Sequence, residues 1–130
     1  MEKTVEPHCT LCLQIDDLPH FFYNCKTCKT FWTLLQRWFQ EKININITLE
    51  ETDVIFGLTD KVNIYLNYLI LKGKWFIAKQ KYIGNNIHLN AFLRIVKHHL
   101  DIEKLINVKN NKLSSFTEKY GALYIALHDI

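Results

Sequence analysis

A chain of 130 residues, 48% hydrophobic and 22% charged, is long enough to bury one core and is neither disordered nor fibrous in composition. Its net charge of +3 is mildly basic, which permits a polyanionic partner without demanding one. The longest apolar run is broken by Asn67, Lys72, Gly73 and Lys74, short of the roughly 20 apolar residues of a membrane span, and Met1-Glu2-Lys3-Thr4-Val5-Glu6 has no signal-peptide character; no membrane partner is expected, and the expected location is intracellular, in cytoplasm or nucleus.

The first element is a cysteine cluster. After a lead-in stiffened by Pro7, all four cysteines fall between Cys9 and Cys28, as Cys9-Thr10-Leu11-Cys12 and Cys25-Lys26-Thr27-Cys28, with His20 between the pairs. Two C-x-x-C pairs are the arrangement a tetrahedral zinc site needs, because each turn brings two thiolates to one ion. Five candidates compete for four places, with His8 a weaker sixth. The spacing permits Cys9, Cys12, His20 and Cys25, and it equally permits Cys9, Cys12, Cys25 and Cys28. Either set closes the sphere of one zinc ion, so the metal is expected to be structural.

The residues Cys9-Thr10-Leu11-Cys12, the acidic Asp16-Asp17, Pro19-His20-Phe21-Phe22, Asn24-Cys25 and Phe31-Trp32 carry a resemblance. This stretch resembles the zinc-binding region at the C-terminal end of non-LTR (LINE-type) retrotransposon reverse transcriptases. Asp53-Val54-Ile55-Phe56-Gly57-Leu58 and the apolar segment from Leu69-Ile70-Leu71 to Trp75-Phe76-Ile77 are similar as well. The likeness spans most of the chain, while its specific motifs lie in the first thirty or so residues. It implies Cys9, Cys12, His20 and Cys25 as ligands and leaves Cys28 outside the sphere. It also implies nucleic acid, RNA or an RNA–DNA junction, as partner, and the polymerase domain of a reverse transcriptase as a neighbour. The polymerase and endonuclease parts of that family have no counterpart here. The one Asp-Asp pair, Asp16-Asp17, follows Gln14-Ile15 inside the cysteine cluster and reads as an exposed acidic loop.

The periodicity predicts a helix over about Lys26 to Gln40. Cys28, Phe31, Trp32, Leu35, Trp38 and Phe39 share its inner face, and Lys26, Lys29, Thr33, Arg37 and Gln40 share its outer one. Cys28 on the apolar face points to core packing, which together with the resemblance favours His20 as fourth ligand. Lys26, Lys29 and Arg37 form a basic stripe suited to phosphate, though a solvated helix face would look the same. Phe22 or Tyr23, if exposed, would offer stacking surfaces for unpaired bases. Ile43, Ile45 and Ile47 alternate with asparagines, which suits an extended connection pinned to the core. Thr48 to Glu51 reads as a capping box for a short helix that Gly57 stops.

Asp60 to about Tyr82 reads as a central helix. Val62, Tyr65, Leu66, Leu69, Phe76 and Ile83 line one face, and Ile64, Tyr68, Leu71 and Trp75 widen it, so burial on most sides is expected. Gly73 inside it suggests close packing or a bend. Lys72/Lys79 and Lys74/Lys81 fall on nearly opposite sides. Gly84-Asn85-Asn86 breaks the chain. A helix over about Asn90 to Ile106 follows, with Phe92, Ile95, Val96, Leu100, Ile102 and Ile106 inward. His98-His99 point about 100° apart, which reads as ordinary helix surface. Ser115 to Glu118 reads as a second capping box, opening a last helix with Phe116, Tyr120, Leu123, Tyr124 and Leu127 inward.

These elements predict a mainly α protein, a small N-terminal zinc knuckle packed on a bundle of four to five helices. Residues 1–42 would hold the knuckle and its helix, and residues 43–130 the helical domain. No Gly-rich phosphate loop, G-x-S-x-G or nucleophile–base set occurs, so a non-catalytic module is expected. An enzymatic role, thiol–disulfide exchange at Cys25/Cys28, lacks the βαβ context such chemistry uses. A protein-interaction domain docking on a polymerase is also compatible with the composition, and a contiguous exposed apolar patch would speak for it. So is a relic reading frame without independent function.

Overall fold

The structure is a computed structural model of the chain and describes Asp17 and residues 19–57 and 64–128. Cys9, Cys12, Asp16, Leu58, Asp60 and Val62 lie outside the described residues, as does the side chain of Ile64. The described part is mainly helical: a π-helical turn His20–Asn24, then α1 (Lys26–Ile43), α2 (Glu51–Phe56), α3 (Ile64–Ile83), α4 (Leu89–Lys109) and α5 (Leu113–Ala126).

Helix α1 follows its periodicity. Cys28, Phe31, Trp32, Leu35, Trp38 and Phe39 are buried, while Lys26, Lys29, Thr33, Arg37 and Gln40 are exposed. It ends where Asn44 adopts φ 67° and donates its N–H back to the Gln40 carbonyl, a left-handed cap that asparagine tolerates better than most residues. The next segment is extended. Ile45 and Ile47 pack against the core while Asn44, Asn46 and Thr48 face solvent, and no strand forms among the described residues.

Helix α2 starts two residues later than the Thr48 box predicts. Leu49 is buried, its N–H donates to Gln36 Oε1 (2.8 Å), and its carbonyl accepts from the Tyr23 hydroxyl (3.0 Å). Both anchors hold Leu49 extended, so the capping box forms at Glu50 and Asp53 instead. Gly57, at φ 82°, terminates α2 as expected. The predicted Ser115 box does not form either. Asn111 at φ 58° and the Lys112 N–H on the Asn107 carbonyl (2.7 Å) turn the chain tightly after α4. Helix α5 therefore begins at Leu113, and Ser115 lies inside it.

Phe31 of α1, Phe76 of α3 and Phe92 of α4 meet at the centre, with ring centroids 5.2–6.1 Å apart. Each such pair adds about 0.5–1.5 kcal/mol to the burial itself. Gly73 lets α3 approach: a Cβ there would stand 2.7 Å from the Trp32 ring. The close-packing reading of Gly73 is thus the one the fold uses. Helices α4 and α5 form a hairpin, and Phe116, Leu123 and Leu127 close the core from below.

Two expected inner stripes are shorter than predicted. On α4, Phe92, Leu93, Val96 and Leu100 are buried, but Ile102 and Ile106 are exposed. Beyond Leu100 the helix faces Tyr68 and Lys72 of α3 across an open depression that Ile102 and Ile106 line. On α3, Leu66, Leu69, Ile70, Phe76 and Ile77 are buried, whereas Leu71, Trp75 and Ile83 are not. The helix is apolar around most of its circumference, and the fold covers one side of it.

Candidate metal-binding turn and its basic flank

The turn His20–Asn24 is where the predicted zinc ligands and the helical core meet. Asp17 starts it: its carboxylate accepts the His20 N–H (2.9 Å) and its carbonyl the Phe21 N–H (2.8 Å). The Cys25 N–H then reaches back five residues to the His20 carbonyl (3.0 Å), the wider closure of a π turn. In an α-helical turn the Phe21 carbonyl would accept that N–H. Here it accepts Lys81 Nζ (2.7 Å) and the Cys28 thiol (3.4 Å), and the Phe22 carbonyl accepts Trp32 Nε1 (2.6 Å). Side chains from α1 and α3 thus satisfy the carbonyls that the wide turn leaves over. Isolated π turns of this kind recur at functional sites.

Further ties fix the turn to the bundle. Tyr23 donates to the Leu49 carbonyl, and Asn24 Nδ2 donates to Glu51 Oε1 (2.6 Å). Lys81 is nearly buried, at 5% exposure, with its ammonium 4.4 Å from the centre of the Phe21 ring. Lys74 covers Phe22 at 5.7 Å and donates to the Ile55 carbonyl. Phe22 and Tyr23 are therefore half-buried and engaged, not the open stacking surfaces expected beside the knuckle.

Of the candidate ligands, His20 is half-buried at the first position of the turn, and Cys25 is fully buried at its end as the residue preceding α1. Cys28 is fully buried one turn into α1. Among the described residues no group of three or more His, Cys, Asp or Glu side chains is gathered closely enough to hold a metal ion. Either ligand set permitted by the spacing takes only two members from these residues, with Cys9 and Cys12 supplying the others.

Lys26, Lys29 and Arg37 are all exposed on the outer face of α1, directly after Cys25. At 100° and 1.5 Å per residue, Lys26 and Arg37 lie about 20° apart around the axis and about 16 Å apart along it. The α3 lysines divide as their spacing predicts. Lys74 and Lys81 turn to the π turn and α2, while Lys72 and Lys79 lie on the other side, near α4.

That other side carries a groove that the sequence pattern did not announce. Lys72 Nζ stands 3.2 Å from His99 Nδ1, and the Trp75 and His99 rings are 5.7 Å apart. Lysine has only donors, so Nδ1 must accept and the proton of neutral His99 sits on Nε2. Burial first, then the charge of Lys72, holds the His99 pKa below its ordinary value. Burial, aided by Tyr120 and Glu103, pushes the Tyr68 hydroxyl up to about 12. A depression of about 320 Å³ is lined by Tyr68, Leu71, Lys72 and Trp75. It adjoins one of about 370 Å³ reaching His99, Ile102, Glu103 and Ile106. The available signal was Leu71, Trp75, Ala78 and Tyr82 at i, i+4, i+7 and i+11, a helical stripe of its own opposite Leu69, Gly73 and Phe76. Comparison of the chain with family models, with curated proteins and with solved structures gives no match.

Proposed function

We propose that the chain is a non-catalytic, zinc-binding module that binds nucleic acid, RNA or an RNA–DNA junction, like the C-terminal region of LINE-type reverse transcriptases that its first thirty residues resemble. The observation that carries this reading is the π turn. It sets His20 and Cys25 at its two ends and delivers the chain straight into the exposed Lys26/Lys29/Arg37 stripe. Cys9, Cys12, His20 and Cys25 would hold the ion. Cys28, buried with its thiol on the Phe21 carbonyl, fits a packing role. Four protein ligands leave zinc no open position, so its contribution would be to fix the N-terminal segment on the turn. The stripe would contact phosphates, which position the nucleic acid without reading its sequence.

Native mass spectrometry tests the ligand set. One zinc retained in Cys28→Ser and lost in His20→Ala is expected. The reverse pattern would make it a four-cysteine site, and a metal-free wild type would end the reading. The stripe is tested by titrating single-stranded RNA at several salt concentrations. Replacing Lys26, Lys29 and Arg37 together by alanine should flatten the plot of log affinity against log salt by about 2 to 3. An unchanged slope would remove the stripe from the interface.

A second reading, docking on a neighbouring protein domain, is favoured by one observation, the uncovered apolar outer face of α3.

A further inference from the structure

The outer face of α3 is organised. Leu71 is 67% exposed, Trp75 44% and Tyr82 90%, with the small Ala78 between them. Counting 100° per residue, the centre of this stripe lies roughly 160° around the helix from the centre of the buried Leu69, Gly73 and Phe76. It covers about 16 Å of axis, three helical turns. Its spacing of four, three and four is the one by which a helix seats a second helix. The depression bounded by Tyr68, Leu71, Lys72 and Trp75 is a hole into which an apolar anchor of that second helix can fit.

One edge of the stripe carries positive charge: Lys72 and Lys79 lie one heptad apart along it, while Lys74 and Lys81 are turned to the Ile55 and Phe21 carbonyls and take no part. Lys79 stands over the Trp75 ring at 5.1 Å, beside the seam. Helix α3 contains no Asp or Glu. A second copy laid along the same seam would set lysine against lysine, which argues against self-pairing.

We propose that the Leu71/Trp75/Ala78/Tyr82 face of α3 docks an acidic amphipathic helix of a protein partner. Apolar anchors at i, i+3/i+4 and i+7 would fill the seam, and glutamates or aspartates along its edge would meet Lys72 and Lys79. This rests on the docking reading and names the partner's chemistry. It does not involve the metal-binding turn or the α1 stripe.

The test uses two stapled helical peptides with the same leucine heptad seam, one flanked by glutamate and one by lysine, titrated into the zinc-loaded protein by fluorescence anisotropy. The glutamate peptide is expected to bind at least tenfold more tightly, with the preference shrinking as salt rises. A Lys72→Glu/Lys79→Glu variant should reverse the preference, and Leu71→Asp should abolish binding of both, while circular dichroism remains that of the wild type. If both peptides bind alike, docking stands and the acidic partner is overturned. If neither binds, the docking reading itself falls. Self-association lost in Leu71→Asp would make a second copy the occupant, and displacement of the glutamate peptide by single-stranded RNA would give the face to nucleic acid. Either result overturns the proposal.

Discussion

At the scale of single residues, the packing around Trp32 sets the sharpest expectation. Helix propensity alone predicts that Gly73→Ala stabilises α3 by up to about 1 kcal/mol. The new Cβ would stand 2.7 Å from the Trp32 ring, whose Nε1 is tied to the Phe22 carbonyl of the π turn. Overpacking of this kind costs about 1–3 kcal/mol, so urea denaturation should show a net loss. The two buried α1 tryptophans should respond differently to phenylalanine. Trp32→Phe orphans the Phe22 carbonyl and should cost about 1–3 kcal/mol. Trp38 Nε1 has no acceptor among the described residues, so Trp38→Phe removes an unsatisfied donor and should be neutral or mildly stabilising by the same measurement.

At the scale of elements, the contact between α3 and α4 titrates. His99 accepts from Lys72 only when neutral, and its folded pKa lies below the unfolded value near 6.5. Between the two values the unfolded chain binds more protons, so acid favours unfolding. The contribution is complete above about pH 6.5 and is lost as pH falls through the folded pKa. His99 is only partly buried, at the rim of the groove, so the effect is small. Urea midpoints at pH 7.5 and pH 5 should differ more in the wild type than in His99→Gln, which keeps an acceptor without gaining charge. Equal differences in the two proteins would mean that the contact carries no linkage.

At the scale of the whole molecule, the Phe31–Phe76–Phe92 contacts join α1, α3 and α4 in one core that α5 closes. Phe92→Ala should cost about 3–5 kcal/mol, a large share of the stability of a domain this size. Loss of far-UV helicity and of the fluorescence of Trp32 and Trp38, read in a Trp75→Phe background, should coincide, since both sit in α1 while most helix lies beyond it. A fluorescence transition that precedes the loss of helicity would mean that α1 and its turn unfold on their own.

The sequence alone determined the helical class, both faces of α1, the stops at Gly57 and Gly84, and the opposed pairs of α3 lysines. These depend on local periodicity or on backbone freedom at one residue, which neighbours in space do not alter. It also placed His20, Cys25 and Cys28 in one short stretch. Only the tertiary structure decided that this stretch is a π turn, because its surplus carbonyls are satisfied by Trp32 and Lys81 from other helices. The same holds for the starts of α2 and α5, which long-range anchors on Leu49 and a tight turn at Asn111 moved away from the best local caps. Which side of α3 is covered was legible in part: Leu66, Leu69 and Phe76 of the expected inner face are buried, whereas Leu71 and Trp75, expected to widen it, are exposed. A helix apolar on nearly every side has no polar face to mark its outside, so the choice between Leu69 and Leu71 fell to the close approach of Gly73 to Trp32.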